Sequence, residues 1–120
     1  MDVESARAYL RNLPHVAETM QWGANLVYWV GDKNIGGKMF AVLNLGEDAK
    51  AVCSFAAGPE LYAELLEIDG IFPAPYLARA HWVALRHWKA LSTRELEQHF
   101  RHGHALVRAK LPRKTQNLLK

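Results

Sequence analysis

The residues best suited to bind a charged partner are arginines in the last third of the chain. Ser92 and Glu95 have the spacing of a capping box, which predicts a helix that begins here and runs to Pro112. Steps of seven residues along this helix place Arg94, Arg101 and Arg108 on one stripe, with successive arginines about 10 Å apart. Such a row suits phosphates or other anions. The alternative is an ordinary solvated helix face.

Further basic residues lie on both sides of this helix. Those after its arginines are Lys110, Arg113 and Lys114. Those before it are Arg86 and Lys89, which bracket Trp88. Basic groups interleaved with tryptophan are typical of nucleic-acid binding, because base stacking adds to phosphate attraction. The alternative is structural: Trp88 covers a sheet edge with its ring half exposed, and Trp82 belongs to the core.

Charge is distributed unevenly along the chain. Residues 1–69 carry five Lys and Arg against ten Asp and Glu, whereas residues 70–120 carry ten against two. The formal net charge of +3 hides this asymmetry. It favours an acidic partner for one face, with nucleic acid the first candidate. On a folded surface, however, the two halves can also neutralise each other.

Few residues are arranged for catalysis or metal binding. His99 and His102 are three positions apart on the predicted helix, but no cysteine accompanies them, so we predict no metal site. Cys53 is the single cysteine and lies in an apolar strand, as small buried hydrophobes do. The chain has no phosphate-binding loop, dinucleotide glycine pattern or nucleophile elbow. We therefore predict no cofactor and no enzymatic activity.

An unusual loop precedes one of the tyrosines. Pro73 and Pro75 stiffen the segment that leads to Tyr76. Rigid aromatic loops often line binding sites, so we take Tyr76 and Trp22 as a candidate ligand pocket. The alternative is a stiff connector that lays Tyr76 onto the sheet.

The first half of the chain predicts a helix followed by strands. A chain of 120 residues, half of them hydrophobic, fits one domain with its own core. Apolar spacing predicts a helix over residues 2–13. A three-stranded antiparallel meander follows, over residues 26–30, 38–45 and 50–56, with Phe40 and Ala41 on opposite faces. Gly36 and Gly37, between the first two strands, suit a bulge or a close backbone approach.

The second half completes an α+β pattern. A helix begins at Pro59, residues 71–75 are extended, and a strand covers residues 81–85. Residues 87–89 are a further pairing segment before the capped helix. We predict one two-layer domain over residues 1–112 and a frayed basic tail over residues 113–120. The single cysteine and the absence of a signal peptide or apolar span predict a cytoplasmic protein.

Several local strings also carry a family resemblance. They are Trp22-Gly23, Gly37-Lys38-Met39-Phe40-Ala41, Pro73-Ala74-Pro75-Tyr76-Leu77-Ala78-Arg79, Trp82-Val83-Ala84-Leu85 and Val107-Arg108-Ala109-Lys110-Leu111-Pro112. Together they resemble the MmcQ/YjbR family of small bacterial proteins over nearly the whole chain. The resemblance implies a two-layer antiparallel sheet with helices in the order α-β-β-β-α-β-β-α, similar to secretion chaperones and frataxin-like domains. It also implies DNA binding, by analogy of fold with a double-wing DNA-binding domain. It brings no catalytic residues, and the hairpin at Gly31–Gly37 is longer than the family's usual turn.

Three functional hypotheses follow from these observations. The first is a DNA-binding module that acts through the basic residues between Arg86 and Lys114, including those of the last helix. The second is a protein-interaction module, with Trp22, Trp29 and Trp88 as exposed aromatic residues. The third is a small-ligand or enzymatic role around Tyr76 and Trp22. We expect the protein to be a monomer or weak dimer.

Overall fold

A six-stranded antiparallel sheet carries helices on one of its faces. The computed structural model describes residues 1–119, and its α+β architecture confirms the predicted fold class. The helices are α1 (Val3–Arg11), α2 (Pro59–Leu66), α3 (Thr93–Lys110) and α4 (Arg113–Leu118). The strands are β1 (Val16–Gln21), β2 (Asn25–Val30), β3 (Lys38–Asn44), β4 (Cys53–Ala56), β5 (Ile71–Pro73) and β6 (Trp82–Leu85). Their order across the sheet is β1-β2-β3-β4-β6-β5.

Local signals in the sequence fix where the longest helix begins. The Ser92 hydroxyl accepts the backbone N–H of Glu95 at 3.1 Å, and the Glu95 carboxylate accepts the backbone N–H of Ser92 at 3.2 Å. This capping box satisfies two backbone donors that a helix start would otherwise leave unpaired. The predicted start of α3 is therefore confirmed.

The main core lies between the sheet and α1, α2 and α3. Phe100 of α3 packs edge-on against Phe55 of β4, with ring centroids 5.9 Å apart, and both side chains are fully buried. Gly103, one turn further along α3, has no side chain to separate helix and strand. A Cβ there would stand 2.7 Å from the carbonyl oxygen of Ala56. Glycine at this position thus lets α3 lie directly on β4.

The sheet differs from the prediction in three places. β1 adds a fourth strand to the meander; it lies at the edge, and its mostly half-buried residues lack a clear alternating pattern. Residues 87–89 do not pair, because Trp88–Ala90 forms a 3-10 turn instead. Phe40 and Ala41 both reach the main core, since the β2–β3 ladder shifts register between Tyr28 and Trp29. A register shift of this kind changes which face a side chain points to.

The predicted frayed tail is wrong for the residues described. Residues 113–118 form α4, and the Thr115 hydroxyl donates to the carbonyl of Ile35 at 2.8 Å. Leu119 is buried in the main core. The tail was predicted from its charge, but its apolar and small residues attach it to the β2–β3 loop. Lys120 lies outside the described residues.

Three hydrogen-bonded polar side chains link α1 to the β1–β2 hairpin. Arg7 donates two hydrogen bonds of 3.0 Å to the Glu18 carboxylate, and the Tyr28 hydroxyl donates to the same carboxylate at 2.6 Å. Burial by itself would raise the pKa of Glu18, but these hydrogen bonds outweigh it and the pKa is lowered. Arg7–Glu18 is the single salt bridge found among residues 1–119.

We expect Glu18→Gln to lower the thermal midpoint at neutral pH by a few degrees. The lowered pKa means that the folded state favours the carboxylate, so this stabilisation is complete above the ordinary glutamate pKa of about 4.3. It disappears as pH falls through the lowered pKa of the folded state. Thermal denaturation of both proteins between pH 3 and pH 7 measures the difference, with Glu47→Gln in an exposed loop as control. A difference independent of pH would contradict the ionic origin of the stabilisation.

Within residues 1–119, no helix combines the length and apolar character that crossing a membrane requires.

Candidate functional site

The face of the sheet without the main helices carries a cleft. Its floor is a row of side chains that stand next to one another across four strands, in the order Val42, Ser54, Ala84 and Phe72. The two central members are small, whereas the outer ones are larger. A row that is low in the middle makes the sheet surface concave.

Loops from both ends of the sheet enclose this floor. The β1–β2 turn contributes Trp22, the β3–β4 loop contributes Lys50, and the β5–β6 loop contributes Pro75, Tyr76 and Leu77. The resulting cleft has a volume of about 660 Å³ and a mostly apolar lining. Its size and character fall within the range of small-molecule sites in proteins.

Both aromatic residues at the cleft are exposed and hold a left-handed backbone. Trp22 has φ of 50° and is 63% exposed, and Tyr76 has φ of 66° and is completely exposed. Bulky side chains rarely adopt this conformation, which costs roughly 1–3 kcal/mol per residue. Neither ring is buried well enough to offset that cost through core packing. Backbone strain that stability does not require is characteristic of functional sites.

The loop around Tyr76 explains how the strain is imposed. The Leu77 N–H donates to the carbonyl of Ala74 at 3.1 Å and closes a four-residue turn. Pro75 occupies its second position and Tyr76 its third, where the positive φ of a type II turn normally selects glycine. On the opposite side of the cleft, the Asn25 side chain donates to the Trp22 carbonyl at 2.9 Å and fixes that turn.

One polar group on the floor is available to a ligand. Ser54 is 8% exposed, and its hydroxyl makes no hydrogen bond to any of residues 1–119. No buried side-chain nitrogen or oxygen in this part of the chain is sealed away without a partner. The Ser54 hydroxyl therefore opens into the cleft that it lines.

The basic residues predicted to contact nucleic acid fall into separate groups. Arg94, Arg101 and Arg108 lie along one flank of α3, where Arg101 lies close enough to Tyr9 of α1 for its charge to favour the tyrosinate. Lys110 lies on a different side of the helix, where it borders a hollow of about 170 Å³ together with Lys38. The two basic residues that follow α3, Arg113 and Lys114, are exposed at the start of α4.

The predicted basic strand end is divided between the two faces of the sheet. The Arg86 guanidinium stands 4.6 Å from the ring centroid of Phe72, so it belongs to the cleft face. Trp88 is half buried against the main core, and Lys89 is exposed beside it. Trp29 is also half buried, and its indole N–H donates to Thr19 at 2.9 Å. Of the three tryptophans predicted to be exposed, only Trp22 is.

The histidines and the cysteine are positioned by packing. His99 stacks on Phe55 with ring centroids 5.5 Å apart, and burial lowers its pKa. Burial has the opposite effect on the Cys53 thiol: it raises the pKa, which disfavours a thiolate nucleophile. Within the described residues, no three His, Cys, Asp or Glu side chains come together as metal ligands would.

Sequence reasoning missed the floor of the cleft. Ser54 and Ala84 stand side by side only because β6 pairs with β4, and this pairing joins strands 26 or more residues apart in sequence. The signal present in the sequence is the pair of aromatic residues Trp22 and Tyr76, which predicts a pocket but not its floor.

Comparison with known proteins supports the fold and places the chain in a family. No curated protein matches it. The crystal structure of Deinococcus radiodurans protein DR2400, with a DUF419 family-model domain, is similar at 25% identity and a TM-score of 0.83. The match covers 98% of this chain and 87% of that one. A family model described as YjbR matches residues 11–106. The chain belongs to the YjbR family.

Proposed function

We propose that the protein is a binding module whose ligand site is the cleft between the turns of Trp22 and Tyr76. The observation that carries this proposal is that two strained, exposed aromatic residues border the same apolar hollow. A flat apolar ligand could pack between such rings and over the small residues of the floor. Stacking on an aromatic ring contributes about 0.5–1.5 kcal/mol beyond the burial of apolar area.

Binding without chemical conversion fits the lining of the cleft. Among residues 1–119, those that border it include no carboxylate, histidine or cysteine. General acid–base catalysis relies most often on these groups. The polar side chains present are Asn25, Asn44, Ser54 and Lys50, which suit orientation of a ligand.

Tyr76→Gly separates the proposed function from stability. Glycine adopts φ of 66° without strain, and the completely exposed ring contributes no packing. The free energy of unfolding should therefore stay within about 1 kcal/mol of wild type or increase. Affinity for a neutral two-ring probe, 2-naphthamide, should fall about tenfold with loss of the ring.

NMR titration gives the affinity and urea denaturation the stability. Tyr76→Phe is the matched control, because it keeps the ring and should keep the affinity. The proposal fails if wild-type protein does not bind 2-naphthamide, or if Tyr76→Gly binds it equally well.

DNA binding is a second candidate, and one observation favours it. Arg94 and Arg101 are exposed and Arg108 is half-buried along one flank of α3, and none of the three forms a salt bridge with any of residues 1–119. Their spacing allows contacts with successive phosphates. These contacts would be largely independent of base sequence.

Charge reversal tests this candidate. We expect Arg101→Glu to weaken binding of a 20-base-pair duplex in fluorescence anisotropy, with the slope of log affinity against log salt reduced by about one or more. Lys38→Glu is the control: it applies the same change of charge at the start of β3, away from the arginine flank of α3, and should weaken binding less. Equal affinities for Arg101→Glu and wild type, or no binding at low salt, would count against DNA as the partner.

A further inference from the structure

Two cations lie at one end of the cleft. Lys50 borders the cleft directly, and Arg86 lies against Phe72 of its floor. Both belong to the same end of the β4–β6 ladder, where Cys53 pairs with Leu85. Lys50 lies in the β3–β4 loop, three residues before Cys53, and Arg86 directly follows Leu85 at the end of β6.

The acids nearest in sequence to these two cations neither border the cleft nor pair with them. Glu47 and Asp48 share the β3–β4 loop with Lys50 but do not border the cleft. Asp69 precedes Gly70, whose carbonyl accepts the Arg86 N–H. None of the three acids forms a salt bridge with Lys50 or Arg86 within residues 1–119. The charge that borders the cleft directly is therefore the positive charge of Lys50.

We infer that the ligand of the cleft is an aromatic anion. Its ring lies over Ser54 and Ala84, and its carboxylate or phosphate points to the end marked by Lys50 and Arg86. Ser54 is 8% exposed as a residue, and its hydroxyl, which opens into the cleft and has no partner among residues 1–119, hydrogen-bonds the ligand between these two parts. This assignment rests on the proposed function and specifies that the ligand carries a negative charge.

The geometry distributes affinity and selectivity over different groups. The apolar floor and the rings of Trp22 and Tyr76 hold any flat ligand of suitable size. Lys50 distinguishes an anion from a neutral analogue of the same shape, since a hydrogen bond between charged groups is stronger than one between neutral groups. Arg86 adds to the local potential but stays stacked on Phe72.

Three naphthalene probes of matched shape test the inference. They are 2-naphthamide, which is neutral, 2-naphthoate and 2-naphthyl phosphate, and NMR titration of the full chain measures each dissociation constant. Both anions should bind at least about tenfold more tightly than the amide. A preference for the phosphate over the carboxylate, or the reverse, identifies which anion the site takes, and either supports the inference.

Substitution of the lysine assigns the preference to its charge. Lys50→Gln should remove most of the preference for anions and leave the affinity for 2-naphthamide unchanged, whereas Lys50→Arg should retain the preference. Lys33→Gln, in the β2–β3 loop and outside the cleft lining, is the matched control. If all three probes bind equally and Lys50→Gln changes nothing, the anion inference is overturned while the proposed binding function stands. If no probe binds, both fail.

Discussion

Gly37→Ala is expected to destabilise the protein by about 3 kcal/mol, because the β2–β3 hairpin has no space for a side chain there. A Cβ at Gly37 would stand 1.8 Å from the carbonyl oxygen of Gly31 and 2.7 Å from that of Val30. Both obstacles are backbone atoms, so no rotamer change can relieve the clash. Gly31 is itself held in place, since its N–H donates to the His15 carbonyl at 2.7 Å.

Urea denaturation of Gly37→Ala and of Gly46→Ala measures this effect. A Cβ at Gly46 meets nothing within 4 Å, and its backbone lacks a positive φ, so that variant should remain within about 0.5 kcal/mol of wild type. The hairpin loop also accepts the Thr115 hydroxyl from α4. We therefore expect protection from hydrogen exchange to fall in α4 as well. Equal stability of the two variants would show that the two backbones do not approach each other as described.

Ala84→Leu is expected to abolish ligand binding while the protein stays folded. Ala84 lines the middle of the cleft floor and is only 1% exposed, so a leucine side chain there must push its neighbours aside as it extends into the cleft. Its cost to stability should be about 1–3 kcal/mol, as for other enlarged buried residues. Affinity for 2-naphthamide should fall about 100-fold or become unmeasurable, because the added side chain occupies the space of the ligand ring.

The neighbouring residue provides the reciprocal control. Val83 points to the opposite face of the sheet and is fully buried in the main core. Val83→Ala should cost about 1–3 kcal/mol of stability through the cavity it creates, yet leave the cleft and its affinity intact. Thermal denaturation and NMR titration of both variants check the pair. If Ala84→Leu binds as wild type does, or Val83→Ala alone loses binding, the ligand is not on this face.

Parts of the fold with strong local signals were predictable. The capping box of Ser92 and Glu95 fixed the start of α3, and the proline at position 59 fixed the start of α2. β1 gave no comparable signal, because an edge strand with half-buried residues lacks both an apolar run and a clear alternation. The sequence predicts a frayed tail because the charge of the tail is visible there. The contact that holds the tail, between Thr115 and Ile35, joins positions 80 residues apart and leaves no local signal.

The candidate site was predictable only in its most exposed members. Trp22 and Tyr76 stand out in the sequence as aromatic residues among turn-forming ones. Their left-handed backbone and their position along one cleft depend on the folded turns. The floor depends on strand pairing across the whole sheet, which residue spacing does not encode. The arginine stripe, by contrast, follows directly from helical periodicity, although Lys110 and Arg86 proved to lie elsewhere.

The most direct test of the central claim is NMR chemical-shift mapping of wild-type protein titrated with 2-naphthamide. If the cleft is the ligand site, saturable shifts should appear at Trp22, Ser54, Tyr76 and Ala84, and none along the arginine flank of α3. Absence of saturable shifts, or shifts confined to α3 and α4, would contradict the assignment of the cleft as the ligand site.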